Sequence, residues 1–224
     1  MAFFQTTRTI MNLALFFDTE TTGLPDFKAP SDAPQQPHIV QLAAALVDLG
    51  TRKTIASMDV IVKPDGWTIP DNVAAIHGIT TEHAQVVGIP EAMAVDMFLA
   101  LWCQRLRIAH NEQFDARILR IALKRFIDPR NAGAALPMSD LWKASTSECT
   151  CLLATPICKV PPTEKMKAAG RFNHKSASLS EAYQYFMDKP LENAHSAMAD
   201  VRGCIDIYFA IHDPVNAEIQ PLVA

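Results

Sequence analysis

The stretch FFDTETTGL, Phe16 to Leu24, decides how this chain is read. It completes an apolar run that begins at Leu13, so LALFFD (13–18) reads as a buried strand that Thr21, Thr22 and Gly23 then break. Side chains alternate along a strand, so Asp18 and Glu20 point to one face while Thr19 points to the other. Two neighbouring anions repel, and burying them without a partner raises a pKa at a cost in stability. A divalent cation relieves both the repulsion and the desolvation. A bare Asp-x-Glu at a strand end is most often a solvated pair, so the spacing alone is weak and the rest of the chain must decide.

Working outward, HIVQLAAALVD (38–48) and TIASMDVIVKP (54–64) read as two further strands, and the DLGTRK turn between them predicts an antiparallel hairpin. From Pro70 to Gln104 the pattern turns helical, with Pro70 and Pro90 at first-turn positions and Gly78 and Gly88 as stops. LRIAH (106–110) is a fourth strand. Asn111 then caps a helix in which Phe114, Ile118, Ile121, Ala122 and Phe126 form the apolar face, opposite Arg117, Arg120, Lys124 and Arg125. A fifth strand falls within 136–152, and helices start at Ser178 and Ser196, each with a serine cap. The segments 25–37 and 156–175 read as loops. Strands followed by helices indicate a layered α/β domain.

Two more acids recur at helix starts: Asp115 in HNEQFDARIL (110–119) and Asp200 in HSAMADVRGC (195–204). Either one alone is explained by the helix dipole, which favours an anion in the first turn. His195 precedes Asp200 by five residues, about 500° of helical rotation, so the imidazole belongs to the loop entering that helix.

In this order, FFDTETTGL, HNEQFDARIL and HSAMADVRGC resemble the three motifs of the DEDDh branch of the DEDD exonuclease superfamily. Other members place a tyrosine four residues before the last aspartate, where this chain has Ser196, so His195 marks the branch. PHIVQLAAALVD (37–48) and WTIPDNVAAIHGITTEHA (67–84) also look like family segments. The resemblance therefore spans roughly residues 12–211, and it leans toward bacterial and phage relatives of the proofreading subunit of replicative DNA polymerase.

The resemblance implies a ribonuclease H-like α/β fold with a central mixed five-stranded sheet flanked by helices. It also implies a two-metal nuclease, and four carboxylates suit Mg2+, with Mn2+ able to substitute. Asp18 would bridge both ions, Glu20 and Asp200 would complete the site of the attacking water, Asp115 would act mainly through water on the second ion, and His195 would be the general base. Free imidazole titrates near pH ~6.5, which suits a base working near neutrality. Thr21, Thr22, Leu24, Ile79 and Asn111 are the implied contacts to the terminal nucleotide, although turn, core and helix-cap roles explain the same residues.

The implied activity is 3′–5′ exonucleolysis of DNA, preferably single-stranded, releasing 5′-mononucleotides in proofreading, repair or degradation. An exoribonuclease is the alternative within the class, because discrimination rests on the 2′-hydroxyl. A non-catalytic polymerase accessory subunit is disfavoured because none of the five motif residues is replaced. A stand-alone enzyme and a noncovalent polymerase partner both fit.

Composition sets the outer bounds. With 224 residues, 49% of them hydrophobic and 20% charged, one globular domain is the default. The formal charge of -4 argues against a nonspecific polycationic nucleic-acid binder, but two divalent cations would offset four site carboxylates. One basic stretch stands out, KVPPTEKMKAAGRFNHK (159–175), in which Lys159, Lys165, Lys167, Arg171 and Lys175 face Glu164, with Phe172 interleaved. It is a candidate strand-contacting loop or simply a solvated one. Five scattered cysteines without a Cys-x-x-Cys pair read as reduced thiols, and His38, His77 and His110 as hydrogen-bonded structural residues. The expected organisation is an extension over 1–11, with Met11 a second candidate start, an exonuclease domain over 12–212 and a tail over 213–224 too short for a tethering domain. The opening segment fits neither a signal peptide nor a membrane span, so a cytoplasmic protein without a membrane partner is expected.

Overall fold

A computed structural model describes residues 12–213, so the expected extension over 1–11 and the tail beyond Asp213 lie outside the described residues. Three antiparallel strands come first: β1 (Leu13–Thr21), β2 (Ile39–Asp48) and β3 (Lys53–Ile61). Two parallel strands follow, β4 (Leu106–Ala109) beside β1, and a three-residue β5 (Ser147–Cys149) beside β4. The sheet order β3-β2-β1-β4-β5 places the strand carrying Asp18 and Glu20 at its centre.

The helices are α1 (Asp71–His77), α2 (Thr81–Val87), α3 (Glu91–Trp102), α4 (Glu112–Ala122), α5 (Met138–Ala144), α6 (Thr150–Cys158), α7 (Glu164–Ala168), α8 (Leu179–Met187) and α9 (Ala197–Ile211). Gly78 ends α1 in the left-handed conformation at φ 76°, which glycine adopts without a Cβ penalty. A single π turn over Leu123–Ile127 prolongs α4.

Alternation along β1 sorts the core. Leu15 and Phe17 pack with Phe98 and Trp102 of α3, Ile118 and Leu119 of α4, and Trp142 of α5. Ala14 and Phe16 face the other way, onto Ala197, Val201, Cys204 and Tyr208 of α9. A further cluster seats α8 on the outside of α9 through Ala182, Tyr183 and Ile207. The central strand is thus covered on both faces, as expected of an α/β layer structure.

Several expectations change in detail. Strand β1 runs to Thr21 instead of breaking there, because β2 continues to pair with it through a register shift after Glu20. Beyond it, Thr22 N–H donates to the His38 carbonyl at 3.0 Å and His38 N–H to the Thr22 hydroxyl at 3.0 Å. Pro70 and Pro90 occupy cap positions, one residue before the helices they introduce. The segment 156–175 is not a plain loop: α6 reaches Cys158, and Thr163 caps α7 by accepting from Met166 N–H. The loop 25–37 is also firmly held. Gln36, 2% exposed, donates from Nε2 to the carbonyls of Asp26 and Pro30 at 2.9 Å each, and Arg125 donates from Nη2 to the Gln36 carbonyl at 2.9 Å. Arg117 and Arg125, opposite the apolar face of α4, thus add donors to the carbonyls of this loop, Arg117 to those of Asp26 and Ala29 that Gln36 also binds.

Candidate active site

The outer end of β1 gathers carboxylates from both helical layers. Asp18 and Glu20 continue the face of Ala14 and Phe16, toward α9. Asp200 arrives from that layer in the first turn of α9 and is 8% exposed. The chain enters α9 through left-handed residues, Asn193 at φ 54° and His195 at φ 67°. His195 N–H donates to Asp200 Oδ2 at 3.2 Å, which fixes the loop to the helix it introduces. Ser196, expected as a side-chain cap, makes no such bond; instead Ala197 N–H donates to Gln41 Oε1 of β2 at 3.2 Å. Glu20, His195 and Asp200 each present a ligand atom, all within 4.8 Å of one another.

Asp115 comes from the opposite layer. Its Oδ1 accepts the backbone N–H of Thr19 at 3.0 Å and the Thr19 hydroxyl at 2.7 Å. Thr19 points away from Asp18 and Glu20, toward α4, and so fastens the first turn of α4 to the strand end. Asn111 sits at the cap position but is left-handed at φ 67° and makes no side-chain cap bond, which corrects the expected role.

Electrostatics marks these four acids as one group. Burial first, then the charges of Asp115, Asp200 and Glu20, push Asp18 well above the ordinary carboxylate range. Glu20 is pushed up to about 8 by burial and by Asp200 and Asp115. Burial raises Asp115 to about 7 against the opposing hydrogen bonds from Thr19. Asp200 rises to about 6 through burial, moderated by the His195 N–H.

A divalent cation fits this site on grounds independent of any relative. Asp200 Oδ1 is buried without a hydrogen-bond partner among the described residues, and hard oxygen donors converge where anionic charge is otherwise uncompensated. The structure brings Glu20, His195 and Asp200 into direct ligand range, couples Asp18 to three acids and ties Asp115 in through Thr19.

The residues expected to contact a terminal nucleotide divide. Leu24 is 84% exposed beyond the turn and free to meet a ligand, and Asn111 is exposed at the start of α4. Thr21 is buried and bonds locally to the Gly23 carbonyl, and Thr22 locks the strand end to His38. Ile79 is buried in a cluster with Val40, Ile69 and Ala84.

Three contributors escape the motif reading. Thr19 positions Asp115, Gln41 holds the start of α9, and His77 lies close enough to His195 for their charges to interact. Burial, followed by His195, holds His77 below the ordinary imidazole range, while its Nδ1 accepts the Ile79 N–H at 3.1 Å. Strand alternation points Thr19 at the helix bearing Asp115, so that contact was within reach of the sequence; the other two depend on tertiary packing. His38 and His110 are hydrogen-bonded as expected: His38 Nδ1 lies 2.7 Å from Glu91 Oε2, and the ring nitrogens of His110 each lie 3.0 Å from Thr150 Oγ1 and the Ala177 carbonyl. All five cysteines are free, and no helix among the described residues is long and apolar enough to cross a membrane.

A family model described as Exonuclease matches residues 15–208. Among solved structures, the fold is similar to the zinc-bound form of an E. coli ExoI–ssDNA complex, at TM-score 0.63 and 19% identity over 93% of this chain and 42% of that one. It is likewise similar to E. coli exonuclease I with a dT13 oligonucleotide, at TM-score 0.64 and 19% identity over 93% and 42%. A product-bound structure of exonuclease I gives TM-score 0.63 and 17% identity over 92% and 45%. The chain thus spans less than half the length of these structures, whose likeness lies in the fold. No curated protein matches the sequence.

Proposed function

We propose that this chain, which belongs to the exonuclease family, hydrolyses the terminal phosphodiester of a nucleic-acid strand from its 3′ end and releases 5′-mononucleotides. The observation that carries the reading is the convergence of Glu20, His195 and Asp200 within 4.8 Å at the end of β1, beside the mutually repelling carboxyls of Asp18 and Asp115. Asp18, Glu20, Asp115 and Asp200 would hold two divalent cations, Mg2+ with Mn2+ as a substitute. When bound, such ions acidify water and neutralise charge on the phosphate and the leaving 3′-oxygen.

The chain's own residues supply position and proton transfer. His195 is exposed on a loop that its own N–H ties to Asp200, so the imidazole stands at the mouth of the cleft and can take a proton from attacking water at a ring nitrogen. Thr19 keeps Asp115 oriented and favours its charged form through two hydrogen bonds. Leu24 offers an exposed apolar surface for the terminal base and Asn111 is accessible to it, while the buried Thr21 and Ile79 and the bonded Thr22 would act by supporting the turn and its surroundings.

Single-stranded DNA is the proposed substrate, supported by exonuclease I structures of similar fold that carry ssDNA or dT13. Matched 5′-labelled DNA and RNA oligomers, each with a free or a blocked 3′ end, test substrate and direction together. A ladder shortening from the free 3′ end of DNA supports the reading; equal cleavage of blocked strands contradicts the direction, and preferred cleavage of RNA contradicts the substrate.

A further inference from the structure

The helix that carries Asp115 also builds a second cleft on its opposite side. A cavity of about 250 Å³ opens between the segment after the Thr21–Leu24 turn and the first turns of α4, with walls that include Phe27, Gln113, Arg117, Arg120, Lys143 and Arg107. Two of the four cations are matched by acids. Arg107 Nε donates to Glu112 Oε1 at 2.7 Å and Arg120 Nη2 to Asp140 Oδ1 at 3.2 Å.

The other two cations are less well compensated. Arg117 donates from Nη2 to the Ala29 carbonyl at 2.5 Å and to the Asp26 carbonyl at 3.4 Å, and its buried Nε–H has no acceptor among the described residues. Burial and the neighbouring Arg120 hold its pKa below the ordinary range, with only the charge of Asp26 opposing them. Lys143 is exposed in the last turn of α5 and makes no hydrogen bond or ion pair among the described residues. Phe27, 56% exposed, adds an open aromatic face. Surplus positive charge beside an accessible ring is the pairing that accommodates a backbone phosphate and its base.

Position ties this cleft to the carboxylates. Gln113 and Arg117 stand two residues before and after Asp115 on α4, each turned about 200° from it, so the cleft lies on the side of the helix opposite Asp115, about one helix diameter (roughly 10 Å) away. A strand whose 3′ end lies against Asp115 would pass around the first turns of α4 before it reached the cleft, so the contact falls upstream of the terminal nucleotides. We infer that this cleft takes a backbone phosphate of the strand on the 5′ side of the scissile bond, between Lys143 and Arg117, with the attached base against Phe27. The inference rests on the nuclease reading above.

Binding of oligodeoxynucleotides two to ten nucleotides long, with a non-hydrolysable 3′ linkage and a 5′ fluorophore, tests it by anisotropy without requiring turnover. For Lys143→Glu and Gln113→Glu, both at exposed positions, the loss of affinity relative to wild type should grow with length to roughly threefold to tenfold. The slope of log affinity against log salt should fall by about 0.7 for each phosphate that is no longer neutralised. A loss equal at every length, or none, overturns the inference. A defect of the same size with dTMP alone assigns the cleft to free mononucleotide and overturns it as well. Failure of wild type to bind any oligomer would instead count against the exonuclease reading itself.

Discussion

Thr19 and Asp115 are joined by two hydrogen bonds, from the Thr19 backbone N–H at 3.0 Å and its hydroxyl at 2.7 Å, both to Oδ1. The pair fastens the first turn of α4 to the end of the central strand. It also favours the ionised form of an acid that burial raises to about 7.

Removing the hydroxyl with Thr19→Val should therefore raise the Asp115 pKa further and shift the acid limb of the kcat/KM profile to higher pH. At neutral pH a loss of about tenfold is expected, in line with one hydrogen bond to a charged group. Thr19→Ser should restore the profile. A pH-independent loss that serine does not rescue would indicate a packing role only.

Stability should depend on pH in the direction opposite to that of salt-bridged acids. Glu20, Asp115 and Asp200 titrate in the fold near 8, 7 and 6, above the ordinary carboxylate range. Their raised values make ionisation less favourable in the folded chain than in the unfolded one, so stability is fully present below about pH 4 for these groups and is lost as pH rises through about 6 to 8. The metal-free melting temperature should fall across that window, apart from unrelated titrations, and Mg2+ or Mn2+ should recover more stability at pH 8 than at pH 6. Equal stabilisation by metal at both values would mean that ion binding releases no proton from this cluster.

Asp18→Asn removes one charge from the mutually repelling set without changing its shape. The metal-free protein should melt higher than wild type at pH 8, the metal-induced shift should shrink, and hydrolysis should fall to background. Calorimetric melting with and without Mn2+ checks all but the last, and unchanged metal stabilisation would remove Asp18 from the site.

Arg125 holds the loop 25–37 from the π turn after α4, donating to the carbonyls of Gln36 at 2.9 Å and Pro37 at 3.3 Å and lying 3.6 Å from buried Glu91. Arg125→Met leaves Glu91 with only His38 and the Ile39 N–H as partners. A loss of roughly 3 kcal/mol in unfolding free energy is expected, together with faster proteolysis within 25–37 than elsewhere. Uniform proteolysis would show that the arginine supports the core and not the loop.

How much the sequence disclosed follows from the reach of each signal. Alternation along LALFFD placed Asp18 and Glu20 on one face, and first-turn positions placed Asp115 and Asp200, because these are local rules of strands and helices. The serine cap at Ser178 was legible for the same reason and is a full capping box with Glu181. Ser196 and Asn111 do not act as the side-chain caps that their positions suggest, for different reasons: Gln41 of β2 accepts the first amide of α9, and Asn111 is left-handed, not in the extended conformation a capping residue adopts. The three-residue β5 was poorly bounded because so short a strand has no period to detect. The second cleft was invisible because it combines Phe27, α4 and Lys143, which only the fold brings together.

The central claim, that the carboxylates at the end of β1 form a metal-dependent 3′–5′ nuclease site, is tested most directly by digestion of 3′-labelled single-stranded DNA, which reports released mononucleotide, beside 5′-labelled DNA, which reports stepwise shortening, in Mg2+ with EDTA, Asp18→Ala and His195→Ala in parallel. The account predicts stepwise release of 5′-mononucleotides from the 3′ end, abolished by EDTA and by Asp18→Ala, and slowed roughly 10² to 10⁴-fold in His195→Ala. Activity that persists in EDTA, or at full rate in Asp18→Ala, would contradict it.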